Sequence, residues 1–560
     1  MTLLPNRSAL VAATLVAALA VTGSASAQNR EELMEAHRGG TMRLTATSAA
    51  GTIDPHINYT LQFWQLFQFT YDGLVAFKKG RGEEGFTVVA DLAEAVPEPE
   101  DDGKTYVFKL RDGIRFSNGE TVTIDDVVAS FQRIFKVSGP TSGTFYNNIV
   151  GADECLADPA GCTLEGGVVG DSAAGTVTFH LKQPDPEFLY KLAVPHAAVL
   201  PAATPAEDAG TTPIPGTGAH MFESYDPNQR LAIVRNPHFT EWSVEAQPDG
   251  YPDRINYDFG LTEEAQVTAI QNGQADWMFD QPPADRLAEI GANHADQVHI
   301  TPLTAWWYAP MNVNIPPFDN VKARQAVNFA VDRDALVSLF GGPVLAQPVC
   351  TILPPGFPGH VESCLYTVAP GPTWSGPDME RAKALVEESG TAGQEVTVVV
   401  EDTDVSRNIG TYLQSVLNDL GYKASVRPIS ANIQFTYIQN TNNNVQMSVS
   451  QWYQDYPAAS NFLNVLFSCS SFNPGSDSSV NIAGFCDEEI DRRMQAAIAQ
   501  SIHDPEGANE EWAKIDQAIM EKAPIVPLFT PKHVDFVSER VGNFMFSSQF
   551  YWVIPQAWIQ

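Results

Sequence analysis

The chain has 560 residues, of which 44% are apolar and 18% charged, and a formal net charge of -34. That length exceeds what one hydrophobic core serves, so two or more lobes are expected, and the apolar fraction excludes a disordered chain. So acidic a surface repels phosphate backbones and anionic lipid, which excludes nucleic acid as a partner. It keeps the chain soluble and favours cationic groups in a ligand.

The first 27 residues read as a signal peptide. Arg7 is the basic residue of a short leader, Ala9 to Val21 is an apolar run, and Ala25-Ser26-Ala27 is a cleavage site that leaves Gln28 first. The run is shorter than the roughly 20 residues a bilayer span needs. No later stretch approaches that length without charges, and no cysteine follows the run to carry a lipid. A periplasmic or extracellular protein without membrane insertion is expected, with cleavage after Ala27.

Residues 28–40 form a polar leader. Gly40 to Thr47 alternates as a strand does, a turn follows at Asp54-Pro55, and Tyr59 to Leu74 is dense in aromatics at helical spacing. Tyr106 to Leu110 alternates again. Thr123 to Phe135 is predicted helical, with Thr123 as cap and Asp125 and Asp126 in the first turn, where the helix dipole favours acids. Residues 138–175, rich in Gly, Ser, Asp and Pro, read as a long loop. Thr176 to Leu181 is a strand, residues 201–218 a connection, and Glu263 to Asn272 a short helix stopped by Gly273. A proline-rich crossing from Pro310 to Phe318 leads to a helix over Val321 to Phe340.

The texture changes near residue 305. Beyond it, Asp378–Ser389 and Arg407–Leu420 read as helices alternating with strands at Glu395–Val400 and Lys423–Pro428, the pattern of an α/β lobe. After Pro524 the chain returns to strands, Ile525–Phe529 and His533–Val537, which should pack back on the first lobe. Such a path makes a clamp with a hinge of more than one strand. The expected division is residues 28–304 for lobe I, 305–523 for lobe II, and 524–560 returning to lobe I.

The six cysteines fall into three close pairs: Cys155 and Cys162, Cys350 and Cys364, Cys469 and Cys486. An even count in an exported chain points to disulfides, and local pairing is the simplest of the fifteen possible connectivities. Zinc is disfavoured, because there is no C-x-x-C and no nearby histidine pair. No metal or cofactor is expected. The sequence lacks G-x-S-x-G and H-E-x-x-H, and Gly170-Asp171-Ser172 lies in a glycine-rich loop and reads as a turn, so an enzyme is not expected.

Four separated motifs follow in order. The first runs from Tyr106 to Gly119 (Y-V-F-K-L-R-D-G-I-R-F-S-N-G) and continues at Thr123-Ile124-Asp125-Asp126-Val127. The second is Gly216-Thr217-Gly218 with Arg235-Asn236-Pro237. The third is Asn314-Ile315-Pro316-Pro317-Phe318 with Arg324-Gln325-Ala326-Val327 and Val331-Asp332-Arg333. The fourth is Ala523 to Leu528. Together they resemble the extracellular solute-binding proteins of dipeptide, oligopeptide and nickel ABC importers, over nearly the whole mature chain. The resemblance implies a two-lobed, periplasmic-binding-protein-like α/β clamp with mixed sheets, an extra subdomain at about 75–195 in lobe I, and more than one crossing between lobes. It implies a monomer that captures a small ligand, a peptide in the first instance, and delivers it to a membrane permease. A sugar, an opine-like amine or a metal chelate is the alternative ligand within the same role. A secreted hydrolase is the rival from another class. Within the motifs, Arg324 and Arg333 read as scaffold.

The segment Trp452-Tyr453-Gln454-Asp455-Tyr456-Pro457 resembles the W-x-x-D segment of peptide binders. There the aspartate pairs with the ligand's α-ammonium, a role the resemblance carries to Asp455. A charge-assisted hydrogen bond in a dry cleft is strong and tolerates any ligand side chain. Trp452 and Tyr456 would wall the cleft. The competing role for Asp455 is a turn cap before Pro457. The resemblance extends through Asn461 to Cys469, where similar proteins carry a disulfide cysteine, in line with Cys469–Cys486. Oligopeptide binders place arginines just before this tryptophan, whereas Asn440 to Gln451 contains no Arg or Lys. Arg407 is the loose substitute for a carboxylate anchor. Trp307, in the run Trp306-Trp307-Tyr308, is a further candidate for the cleft wall.

Overall fold

A computed structural model describes residues 30–49 and 51–560 of the chain. The signal peptide expected over residues 1–27 lies outside the described residues. Residues 30–37 are helical where a polar leader is predicted. Tertiary contacts hold this short segment: Arg30 pairs with Glu241 at 2.5 Å, and His37 stacks on Trp558 at 4.1 Å.

A five-stranded mixed sheet opens the architecture, in the order Trp277–Met278, Thr41–Ala46, Arg254–Phe259, Arg230–Arg235, His220–Asp226. Met42, Leu44 and Ala46 are buried, as the alternation of Gly40 to Thr47 predicts. A smaller antiparallel sheet joins Thr105–Lys109, Thr176–His180 and Val168–Asp171, with the helix Ile124–Lys136 packed on it. Thr123 caps that helix through a reciprocal box. Its hydroxyl accepts the Asp126 N–H, and the Asp126 carboxylate accepts the Thr123 N–H at 2.8 Å.

Three local expectations change. The segment 138–175 is not one loop, since it contains the helix Ala152–Ala157 and the strand Val168–Asp171. Buried Ile149, Cys155 and Leu164 supply an order that its composition does not signal. The aromatic stretch from Tyr59 is helical only over Leu61–Phe67. Beyond it Phe69 and Tyr71 are buried in irregular backbone. The helix expected over Val321–Phe340 is two, Val321–Ala330 and Arg333–Phe340. Asp332 separates them, because its carboxylate caps the second helix by accepting the N–H groups of Asp334 and Ala335, and a capping residue leaves helical dihedrals.

The alternation predicted beyond residue 305 is present. Parallel strands Lys423–Ile429, Glu395–Glu401 and Met447–Ser448 form a sheet with the helix Asp404–Asp419 packed against it. A further sheet orders Val298–Pro302, Ile525–Phe536, Ala305–Pro310 and Ser450–Tyr453. The two strands expected after Pro524 are one of 12 residues. Its first half pairs with Ala305–Pro310 and its second with Val298–Pro302, so one continuous strand serves both partners. The chain therefore passes outward along 298–310 and returns along 525–536. The architecture is mixed α/β.

The structure joins the cysteines in three local pairs, with Cα separations of 4.4 Å for Cys155–Cys162, 5.0 Å for Cys350–Cys364 and 4.5 Å for Cys469–Cys486. Replacing Cys469 and Cys486 together by serine is expected to destabilise the protein by about 3 kcal/mol, the loop-closure value for a loop of that size. Calorimetry should show a lower Tm for the variant, and chemical reduction of the native protein should reproduce the shift.

Candidate ligand-binding site

The strand Ser450–Tyr453 carries Trp452 to the junction between the α/β half and the N-terminal half. There, buried apolar side chains of residues 74–199 and of residues 452–525 make one continuous cluster, so the two halves are in contact. Trp452 and Tyr456 belong to that cluster. Tyr456 meets Phe145 at 5.5 Å and stacks with Tyr190 at 6.3 Å.

Asp455 lies in this seam and is 6% exposed. Its Oδ2 accepts hydrogen bonds from the Tyr59 hydroxyl at 2.7 Å and from Asn461 Nδ2 at 2.6 Å. Asn461, in the first turn of the helix Ser460–Phe467, also accepts the Asp455 N–H at 2.8 Å. Gln549 Nε2 donates to the Asp455 carbonyl at 2.5 Å. The carboxylate therefore does not cap a turn. It is clamped at one oxygen by a tyrosine from the opposite half. No lysine or arginine among the described residues pairs with it, and burial pushes its pKa up to about 7 against the lowering effect of Asn461 and Tyr59.

The surroundings are aromatic and incompletely hydrogen-bonded. Tyr59 packs edge-on against Trp64 at 5.5 Å and His196 at 5.0 Å, and lies 6.0 Å from Trp452. His196 is fully buried, and burial lowers its pKa to about 3, so it is neutral. Neither of its ring nitrogens has a hydrogen-bond partner among the described residues, nor do Nε1 of Trp64, Nε1 of Trp452 or the Tyr551 hydroxyl. Buried polar atoms are nearly always paired, so these groups stand out. Tyr551 also holds φ at 61°, a left-handed backbone that bulky residues rarely adopt and that tends to gather at ligand sites.

Arg407 and Trp307 stand apart from this group. Arg407 is exposed and paired with Asp402. Trp307 packs against Phe529 and Phe340 in the core of the α/β half, at 5.5 and 5.7 Å. Alternation along Ala305–Pro310 turns Trp306 the other way, where it stacks on Tyr308 at 4.5 Å and joins the cluster that holds Trp452. Sequence reasoning missed Tyr59, Trp64, His196, Asn461, Gln549 and Tyr551. The aromatic density after Tyr59 was a usable signal. The others meet the site only through tertiary structure. Arg324 and Arg333 donate to backbone carbonyls, as scaffold residues do.

A family profile for bacterial extracellular solute-binding proteins, family 5 (middle), matches residues 87–474. The chain is 25% identical over 525 residues to a glutathione-binding protein of Salmonella typhi, covering 90% of each chain. It is 25% identical over 562 residues to a periplasmic oligopeptide-binding protein of Salmonella typhimurium, covering 96% of each. Among solved structures it is similar to the clavulanic acid biosynthesis oligopeptide binding protein 2, with a TM-score of 0.81, 24% identity, and coverage of 93% of this chain and 96% of that one. It is also similar to the murein tripeptide binding protein of Escherichia coli, with a TM-score of 0.79, 20% identity, and coverage of 93% and 98%. Both are two-lobed binding proteins in fold. No helix among the described residues is long and apolar enough to cross a membrane.

Proposed function

Because the chain belongs to the bacterial extracellular solute-binding proteins of family 5, we propose that it captures a peptide between its lobes and delivers it to the permease of an ABC importer. The observation that carries this reading is Asp455, a buried carboxylate with hydrogen-bond donors but no cation. A peptide's α-ammonium supplies the missing charge. The names of the oligopeptide and glutathione relatives support the ligand class.

In this mechanism the lobes comprise residues 28–304 with 524–560, and residues 305–523, hinged at the paired strands 298–310 and 525–536. The ligand enters the open cleft and its ammonium meets Asp455. Trp452, Tyr456 and Tyr59 exclude water, and His196 takes a backbone amide. Closure on an empty cleft buries an unpaired carboxylate, at a cost of order 4 kcal/mol for a shift of this size. A ligand that brings the cation removes that cost, so it favours the closed form by contacts the open form lacks. The exported monomer, cleaved after Ala27, then docks on the permease. The cycle has no chemical step.

Native mass spectrometry of the purified protein, followed by release and identification of its cargo, tests the reading. Intact peptides support it. A sugar or chelate keeps the transport role and removes the peptide. A hydrolysed ligand overturns the role without chemistry.

The raised pKa of Asp455 gives a pH dependence. A carboxyl whose folded pKa lies above its unfolded value binds its proton more tightly when folded, so the empty closed form loses stability as pH rises from about 4 to 7. Ammonium binding requires the ionised form. Affinity for a peptide is therefore expected to fall by about tenfold per pH unit below the pKa that Asp455 has in the empty protein, which is about 7 if the empty cleft rests closed and the ordinary carboxylate value if it stands open, as titration calorimetry would show. A profile that stays flat down through the ordinary carboxylate range would remove Asp455 from the site.

A further inference from the structure

The helix Ser460–Phe467 begins beside the ligand seam, and its first two residues reach two different carboxylates. Asn461 holds Asp455. Ser460, itself buried, donates its hydroxyl to Oε2 of Glu187 at 2.5 Å, across the junction into the N-terminal half. Neither side chain serves its own backbone. The helix Ser460–Phe467 has no side-chain cap, and neither has the helix Phe188–Ala193, which Glu187 precedes. Glu187 is buried and shares one cation, Lys191, with buried Asp185. The Lys191 ammonium lies 2.7 Å from Asp185 and 3.7 Å from Glu187, so it serves Asp185 first. Ser460 is the closest donor to the Glu187 carboxylate among the described residues. Aromatic rings from both halves flank the contact. Tyr190, three residues beyond Glu187, stacks with Tyr456, which also meets Phe145.

We propose that the Ser460–Glu187 hydrogen bond is the latch that holds the two halves shut over a bound ligand, and that Asn461 ties it to the occupied Asp455. This rests on the peptide reading given above, and it adds a pair of positioning residues that set retention. When the halves part, water takes both the hydroxyl and the carboxylate, so the contact belongs to the closed form alone. Only such a contact biases closure. A hydrogen bond to an ionised acceptor in a water-poor seam is among the stronger kinds, and the helix N-terminus adds a favourable dipole. Burial raises the pKa of Glu187, and Lys191 and Ser460 work against that rise, so the hydroxyl lowers the cost of burying the acid. The link to the ligand runs through one turn of helix. Asn461 accepts the Asp455 N–H and donates to its carboxylate, so Asp455 and the start of the helix are fixed together. A ligand cation that settles Asp455 thereby settles Ser460 within reach of Glu187. One such bond is worth less than the cost of burying an uncompensated Asp455, so the latch secures a loaded clamp and does not shut an empty one.

Release kinetics test this. The exported protein is loaded with a random tripeptide library and desalted, and native mass spectrometry follows the loss of bound peptide. Ser460→Ala should release peptide about tenfold or more faster than the parent. Glu187→Ala should do the same. The double variant should release no faster than either single one, because the two side chains make one contact. Glu187→Gln keeps an acceptor for the hydroxyl and should release more slowly than Glu187→Ala. Effects that multiply in the double variant, or release from both single variants at the parent's rate, overturn the latch and leave the peptide reading standing. A lower Tm without faster release overturns it too, by making the contact a purely structural one. If no peptide loads onto the parent, the peptide reading itself fails and the latch falls with it.

Discussion

Replacing Asp455 by alanine is expected to weaken binding of an ammonium-bearing ligand by about 2–5 kcal/mol, as for truncating one partner of a buried charge pair. That is a loss of about thirtyfold to several thousandfold in affinity. The geometry makes the effect specific. Oδ2 is occupied by Tyr59 and Asn461, so on the proposed reading a ligand's cation would meet the remaining lone pairs of a carboxylate already fixed in place. The alanine variant removes that acceptor and strands the Asn461 amide and the Tyr59 hydroxyl. The asparagine variant keeps an acceptor for both and loses only the charge, so it separates the roles. If Asp455 serves the ligand, Asp455→Asn should bind nearly as poorly as alanine, yet the empty protein at pH 8 should melt no lower than the parent, because a buried uncompensated charge has gone. A fall in Tm with unchanged affinity would assign Asp455 to the scaffold.

The second large effect concerns stability. Arg133→Ala is expected to cost about 3–5 kcal/mol, because it leaves a buried charge without its partner. Arg133 Nη2 donates to Asp54 Oδ2 at 2.5 Å and Nη1 to Oδ1 at 3.0 Å, both side chains being almost wholly buried. The same guanidinium reaches the carbonyls of Pro205 and Glu207 at 2.7 and 2.8 Å and Nδ1 of His56 at 3.1 Å. His56 Nε2 donates to the Ala198 carbonyl at 2.9 Å, so Nδ1 is the acceptor and the ring is neutral. Burial and the neighbouring guanidinium lower its pKa to about 4. Burial alone pushes the Asp54 carboxyl up, and Arg133 more than offsets it, holding the group below its ordinary value. A depressed carboxyl contributes stability that is present above its unfolded pKa and lost as pH falls through the folded one. The parent should therefore lose stability in acid in two stages, from about pH 6.5 to about 4 as the unfolded chain protonates His56, and below about pH 4 as Asp54 is neutralised. Calorimetry of Arg133→Ala, Asp54→Asn and the double variant forms a closed cycle. The double variant should be more stable than Arg133→Ala alone, and additivity of the two single losses would refute the pairing.

What the sequence discloses and what it withholds divide by range. The helix after Thr123 and the strands around residues 395–429 are set by neighbours a few positions away, through capping, alternation and turn chemistry, and they appear where predicted. The local disulfide pairs follow the same rule. Asp455, Trp452 and Tyr456 sit together because five consecutive residues and a strand end place them so. Tyr59 is a different case. It meets Asp455 from 396 residues away in sequence, and nothing in its surroundings separates it from the core aromatics Phe63 and Phe67. His196 lies in Val194-Pro195-His196-Ala197, which reads as a turn, and its lack of partners is visible only once Tyr59 and Trp64 close over it. Trp307 illustrates the limit of composition. Two adjacent tryptophans are equal as residues and opposite as side chains, and only the register of Ala305–Pro310 on its two partners decides which joins the cluster at the junction and which the core of the α/β half.

The strand Ile525–Phe536 has a consequence for how the chain is made. Pro310 pairs with Ile525 and Val298 with Phe536, so all of residues 311–524 lie inside the loop that this strand closes. A ribosome delivers Val298–Pro310 early and its partner almost last. Until then the early strands expose an open sheet edge, and closing so long a loop is slow. A chain that crosses a membrane unfolded gains from that order, since its two halves cannot lock together before the final stretch has been delivered. The same arrangement makes the tail indispensable. A product truncated before Ile525 would keep Tyr59, Trp452, Asp455 and Asn461 of the seam, but would lack Gln549 and Tyr551 as well as the strand that ties the halves into one molecule.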